Sequence, residues 1–268
     1  KIGTVARLLG VSPEALRLYE RNGILISERG EGENGYRYYC RLDITALLRA
    51  RAYHQYGFSM RETESLINTD DVNYVLQEYH IRADMLEEEI LRKKQTLDYL
   101  KHISDLLEQL SSELWTIRPE IRPGIYRLEF MKGDDLILSP EQLDIFSQWG
   151  NLAPFAFPSQ RNNWRSLICG RDESFSALGV MEEDARALDM PSFLSSGLYY
   201  PSVQSLYTVV EISEENSSCV QYLSHLKEYV QKNHINVIGD PVCRTFLSMN
   251  KKKDSKRFRQ IWLPIDHI

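Results

Sequence analysis

The sequence predicts an α+β protein in three parts: an N-terminal winged helix-turn-helix, a long dimerising coiled-coil helix, and a C-terminal domain of two successive β-α-β-β units. Three observations predict it. Two short helical patterns flank a glycine turn within the first 22 residues, and a basic, aromatic segment, Gly35-Tyr36-Arg37-Tyr38-Tyr39, follows them. The stretch from 72 to 115 is rich in Leu, Glu, Lys and Gln and holds no proline or glycine, as a long helix requires. Beyond Arg118-Pro119, strand-like and helix-like segments alternate.

The first elements have local causes. Ile2, Val5, Ala6 and Leu9 recur at helical spacing. Gly10 ends that helix, because glycine adopts the left-handed backbone at little cost. Ser12 suits the cap of the next helix, Pro13 its first turn, and Glu14 the positive end of its dipole. Ala15, Leu18 and Tyr19 are expected to face inward and Arg17 and Arg21 elsewhere, with Gly23 stopping the helix. An ordinary αα-hairpin would account for this segment alone. The basic-aromatic segment adds a wing able to grip a DNA backbone, beside a second helix suited to the major groove. Further helices are expected over 42–56 and, after Gly57-Phe58, over 59–67.

The run Ile2-Gly3-Thr4-Val5-Ala6-Arg7-Leu8-Leu9-Gly10-Val11-Ser12-Pro13, then Leu16-Arg17-Leu18-Tyr19-Glu20-Arg21-Asn22-Gly23-Ile24-Leu25, then Gly35 to Tyr39, resembles the MerR family of transcription regulators. The resemblance spans about residues 1–70, with Leu18 standing where the family often has Tyr. It implies DNA contacts by Thr4, Ser12, Arg17, Tyr19, Tyr36 and Arg37. Ser12 and the start of the second helix would approach phosphate. Arg17 would bind a base edge or a phosphate. Tyr19, Tyr36 and Arg37 would hold the backbone, with the wing in the adjacent minor groove. The family activates by bending and untwisting a promoter spacer so that RNA polymerase engages both elements.

Charge fits such a head. The whole chain is acidic, net −6. From Lys1 to Arg61, however, ten Lys or Arg stand against six Asp or Glu, a local net of +4, and phosphate contacts need only a local patch. No run of eighteen apolar residues and no signal peptide is visible, so a cytoplasmic protein acting on double-stranded DNA is the simple expectation. Cys40, Cys169, Cys219 and Cys243 form no Cys-x-x-Cys pair. The family's metal sensors cluster thiolates at the end of the long helix. This chain has none between Cys40 and Cys169, so neither metal nor cofactor is expected, and the thiols read as buried and inert.

In the long segment, Tyr79, Ala83, Leu86 and Ile90, then Leu97, Leu100, Leu107 and Leu114, keep one heptad register. Lys93, Ser104 and Ser111 interrupt it, and an amphipathic helix packed on its own domain is the alternative. In the family this helix pairs with its twin to make a homodimer. Arg118-Pro119 to Arg122-Pro123-Gly124 then breaks the helix. The expected domains are 1–71, 72–118 and 119–268.

The last domain reads as strand 125–131, a helix opened by Ser139-Pro140, strands 153–157 and 165–169, strand 205–212, helix 217–232, strand 244–249 and strand 258–265. This order, with Asn236 to Asp240 and Lys256 to Ile265 as its tail, resembles the GyrI-like effector-binding domain of BmrR-like multidrug-sensing regulators. There an acidic residue on the final strand pairs with cationic drugs in an aromatic pocket. Here Gln260 holds that position, an amide with no charge to attract a cation. Alternation puts Phe258, Gln260 and Trp262 on one strand face and Ile261, Leu263 and Ile265 on the other. The first set, with Trp149, Phe155, Trp164, Tyr207 and Phe246, forms the expected pocket for a small aromatic or lipophilic effector, and Glu129 or Glu211 could replace the missing anchor. No Gly-x-Ser-x-Gly, phosphate loop or metal-ligand histidine pair is present. The expectation is a regulator without enzymatic activity. The alternative is a C-terminal small-molecule hydrolase that the head targets to DNA.

Overall fold

The computed structural model of the chain describes residues 2–25, 28–29, 37–187, 194, 196–251 and 254–266. It mixes helix and sheet in two compact units, Lys1–Lys93 and Lys94–Ile268.

The first unit begins with α1 (Ile2–Leu9) and α2 (Pro13–Arg21). Gly10 between them sits at φ +63°, where a side chain would be strained. Ser12 caps α2 by accepting from the Ala15 backbone N–H at 3.1 Å. Arg51 donates to the Leu9 carbonyl at 2.5 Å, satisfying an orphan acceptor at the end of α1. The residue that α2 buries is Leu16, fully enclosed with Val5, Ala6, Leu9, Leu25 and Leu47. Leu18, expected to face inward, is 41% exposed; it lies about 200° around the helix from Leu16. The backbones of β1 (Glu28–Arg29) and β2 (Arg37–Tyr38) pair antiparallel. Next come α3 (Arg41–Gln55) and α4 (Met60–Asn68). A reciprocal box opens α4, Ser59 N–H to Glu62 at 2.6 Å and Glu62 N–H to Ser59 Oγ at 3.3 Å. Tyr53, Phe58 and Leu66 form its core.

The long helix α5 (Val72–Glu108) buries none of its 37 residues. It stops short of the expected 115, and a separate turn, α6 (Leu110–Glu113), follows. The reason is tertiary: Leu110 and Leu114 pack on the sheet, and the Trp115 N–H donates to the Val209 carbonyl at 2.8 Å.

The second unit is a nine-stranded antiparallel sheet with β3 (Arg118–Arg122), β4 (Ile125–Lys132), β5 (Asp135–Leu136), β6 (Ala156–Asn162), β7 (Ser174–Met181), β8 (Leu198–Tyr200), β9 (Val203–Ile212), β10 (Val242–Lys251) and β11 (Asp254–Pro264). The order is β3-β9-β11-β10-β6-β7-β4-β5, with β8 also on β4. Two triplets meet where β6 pairs β10. In each, the strand latest in the chain lies in the middle: β4-β7-β6 and β9-β11-β10. A helical segment joins the first two strands of each, α7 (Pro140–Gly150) in one, α10 (Cys219–Tyr222) with α11 (Ser224–Lys232) in the other. These helices cover one face. Tyr222, Leu223 and Leu226 pack on Leu206, Val210, Ile261 and Leu263, and Trp149 packs on Leu128 and Val180. The other face carries Phe157, Tyr207, Val209, Val242 and Trp262.

Several elements differ from expectation. Residues 118–122, beyond the end of the helix, form the additional strand β3, because an edge strand tolerates Pro119. Residues 165–169 fall on a short helix, α8 (Trp164–Ile168), capped by Asn163 accepting from the Ser166 N–H at 2.9 Å. The strand expected at 153–157 begins at Ala156, and the helix expected over 217–232 is split at Leu223. The strand β7 was not foreseen. A Cβ at its Gly179 would meet the Phe157 ring at 2.6 Å, so glycine is what lets that ring lie on the sheet. Cys219 and Cys243 are buried as expected, but Cys40 and Cys169 are exposed.

A charge network spans this second face of the sheet. Arg127 is fully buried and donates to Glu129 at 2.9 Å and to Ser159 Oγ at 3.0 Å. Arg161 donates to Glu129 at 2.9 Å and to Asp240 at 2.7 Å. Glu129→Gln leaves Arg127 without its carboxylate, a loss of about 3–5 kcal/mol for a buried pair, read by urea unfolding at pH 7. Burial raises the Glu129 pKa, but hydrogen bonds from Arg161 and the charges of Arg127 and Arg161 outweigh it and hold it below 4.5. Its stabilisation is therefore full above pH 4.5 and drains as pH falls through the lowered value. The Gln variant should lack that acid-side decline.

Candidate functional site

In the first unit, Thr4, Ser12 and Arg17 are exposed. Arg17 is held by Glu14 at 2.7 Å, one turn back on α2, so its guanidinium is oriented yet solvent-facing. Tyr19 is half-buried, its ring 5.8 Å from that of His54. Burial raises its pKa, with Arg51 opposing. Arg37 is on β2, where only its backbone is described, and Tyr36 lies outside the described residues. Tyr39, just beyond β2, donates to Glu20 of α2 at 2.8 Å and ties the two segments together.

In the second unit, the eight aromatic and amide residues expected to form one pocket are dispersed. Trp149 and Trp164 belong to cores on the helix-covered face. Tyr207 and Trp262 pack together on the opposite face, rings 5.6 Å apart. Phe246 and Phe258 are neighbours at 6.4 Å. Phe155 stacks edge-on against Tyr99 at 5.7 Å. Gln260 is 6% exposed and donates to Tyr207 Oη at 3.1 Å, leaving its Oε1 without a partner. Of the two substitute anchors, Glu129 is engaged by Arg127 and Arg161, and Glu211 by Lys256.

A cleft of about 390 Å³ lies instead between the C-terminal part of α5, α9 (Glu182–Ala187) and β10. Gln95, Asp98, Tyr99, His102, Met181, Glu183, Asp184, Ala187 and Arg244 line it, and none of the eight is among them. Arg244 is 3% exposed, with its guanidinium 5.3 Å from the Tyr99 ring centre and 5.0 Å from that of Phe157. Its Nε has no partner, and neither has the buried Gln95 Oε1, whose Nε2 donates to the Ala187 carbonyl at 2.8 Å. The cleft thus presents an unpaired donor, an unpaired acceptor and an aromatic wall. Burial lowers the His102 pKa, and the charge of Arg244 adds to the effect. Sequence reasoning missed Arg244; an arginine inside the strand pattern Val242-Cys243-Arg244-Thr245-Phe246 was the available signal. Among the described residues no group of three or more His, Cys, Asp or Glu could hold a metal ion, and no helix is long and apolar enough to cross a membrane.

Comparison with known proteins points to the first unit. The family model described as MerR family regulatory protein matches residues 1–39. The HTH-type transcriptional regulator CueR of Escherichia coli O6:H1 is 30% identical over 111 residues, 41% of this chain and 73% of the relative. Its namesake from Vibrio cholerae serotype O1 is 30% identical over 101 residues, 37% of this chain and 72% of the relative. Among solved structures, the EcmrR–DNA complex in EcmrR-RPo covers 100% of this chain and 99% of its own at 13% identity, with a TM-score of 0.38.

The cleft carries a titration of its own. Burial, helped by Glu183 and opposed by Arg244, raises the Asp184 pKa from 3.8 to about 6. A carboxyl whose folded pKa is raised stabilises the fold below pH 3.8, and that contribution is lost as pH climbs through about 6. Asp184→Asn should flatten this part of the stability profile between about pH 4 and 6, measured by thermal unfolding across that range.

Proposed function

The chain belongs to the MerR family, and from that premise we propose that it is a ligand-responsive transcription regulator. It binds promoter DNA as a homodimer and senses a small aromatic or lipophilic molecule through its C-terminal domain. The proposed division is 1–71 for DNA, 72–118 for dimerisation and 119–268 for the effector. The observation that carries the reading is the head's geometry: α1, a left-handed Gly10 and a capped α2, which presents Ser12 and Arg17 to solvent. The β1–β2 pair follows as the wing. The start of α2 is suited to phosphate, and Arg17 to a base edge or phosphate; Thr4, Tyr19, Tyr36 and Arg37 complete the proposed contacts.

The dimer reading is supported by α5, which exposes Leu76, Leu86, Ile90, Leu97, Leu100 and Leu107. A twin helix would cover that seam. The effector reading is supported by the like-ordered strand triplets, which we read as a duplicated, GyrI-like β-α-β-β unit in a BmrR-like regulator. The cleft beside Arg244 is the proposed effector site. Its unpaired donor and acceptor suit a polar group on an aromatic body. Effector binding would then bias the dimer toward distorting the promoter spacer for RNA polymerase. The relatives are transcriptional regulators and lend no support to the hydrolase alternative.

Two outcomes are expected. Arg17→Ala should weaken binding to DNA selected from a random-sequence pool by about 1–3 kcal/mol, seen by gel shift with the dimer intact. Full affinity in the variant would count against the placement of α2 in the groove. Leu100→Asp with Leu107→Asp should convert a dimer to a monomer in light scattering, because both side chains are exposed in the single chain and would carry charge into the seam.

A further inference from the structure

The β10–β11 hairpin builds a second recess in the C-terminal unit, with a volume of about 260 Å³. Arg257 and Arg259 of β11, Thr245 and Ser248 of β10, and Gln160 and Ser176 of the neighbouring triplet contribute to its lining. Arg244 and Thr245 are consecutive in a strand, so this recess and the cleft beside Arg244 open on opposite faces of the sheet.

Register sets its chemistry. Arg259 pairs with Thr245, and Arg257 with Ser248. Between these rungs the register shifts at Phe246, where β10 carries one extra residue. Uninterrupted pairing would set Leu247 opposite Arg257; the bulge sets Ser248 there instead. Each rung therefore offers an arginine beside a hydroxyl. Gln160 and Ser176 pair in the same way on β6 and β7 and add an amide and a third hydroxyl.

The positive charge here is uncompensated. Arg259 is 8% exposed and donates to Thr245 Oγ1 at 3.2 Å, to Tyr222 Oη at 3.2 Å and to Gln160 Oε1, all neutral acceptors. Arg257 is half-buried. Among the described residues, no carboxylate lines the recess or pairs with either arginine. Across the same sheet, the buried Arg127 and the half-buried Arg161 each have Glu129. A guanidinium taken out of water is costly without a counter-charge, and Thr245 and Ser248 retain hydroxyl protons to donate.

We propose that this recess binds a small oxyanion, the phosphate or carboxylate of a small molecule, held by Arg257 and Arg259 and by the hydroxyls of Thr245 and Ser248. The test is calorimetric titration of the full chain with inorganic phosphate and, separately, with acetate, in chloride buffer of matched ionic strength. Saturable binding of either ion, weakened tenfold or more by Arg257→Gln and unchanged by Arg244→Gln, supports the site, and the ion that binds identifies the source. Binding equal in wild type and Arg257→Gln, or no saturable heat from either ion, overturns it. Arg259 also anchors Tyr222, so Ser248→Ala serves as the second variant, with circular dichroism confirming that both remain folded. A loss of anion binding in both variants, with DNA binding and response to aromatic ligands retained, separates this site from the proposed effector cleft.

Discussion

Three rungs between β6 and β10 join the two strand triplets, and much of the second unit's chemistry depends on them. They pair Val242 with Arg161, Cys243 with Gln160 and Arg244 with Ser159. Each rung carries at least one polar side chain into the sheet's interior, and each polar group is put to use on its own face. Arg161 reaches Glu129 and Asp240. Ser159 accepts from Arg127 and donates to the Cys243 carbonyl at 2.6 Å. Gln160 accepts from Arg259 on the helix-covered side, while Arg244 enters the cleft on the other. A joint made of apolar rungs would hold the sheet equally well but would place no charge at its centre.

Local chemistry made the head legible. The first four helices are announced by signals that act within a few residues: Gly10, the Ser12 cap and the Ser59–Glu62 box. The second unit was harder because its elements are decided by partners far away in the chain. The β3 strand exists because β9 offers it an edge, and β7 tolerates Gly179 because the Phe157 ring fills the space. The α8 segment shows the limit of short apolar runs, which suit a helix or a strand alike until a cap such as Asn163 decides.

The candidate site was less legible than the fold. Counting aromatic residues favours large side chains wherever they are, and Trp149 and Trp164 are large because they fill cores under helices. What marks the cleft is polarity out of place: Arg244 buried with its Nε unpaired, and Gln95 with an acceptor unanswered. Its aromatic wall, Tyr99, comes from the long helix, where a heptad reading follows Leu97 and Leu100 and passes over Tyr99. The alternation of β11 was readable, yet a face does not say whether a residue borders space. Gln260 shares its face with Tyr207 and is spent on it.

The bulge at Phe246 reverses parity along β10. Before it, even-numbered residues such as Val242 and Arg244 lie on the face of the sheet turned away from α7, α10 and α11; beyond it, Ser248 lies with the odd-numbered Thr245 on the other. Aligning this strand residue for residue with a homologue that lacks the extra residue would therefore match side chains that point to opposite faces. Past Thr245, identity in such an alignment would be no guide to shared ligand contacts, and a genuine counterpart of Ser248 would be displaced by one column.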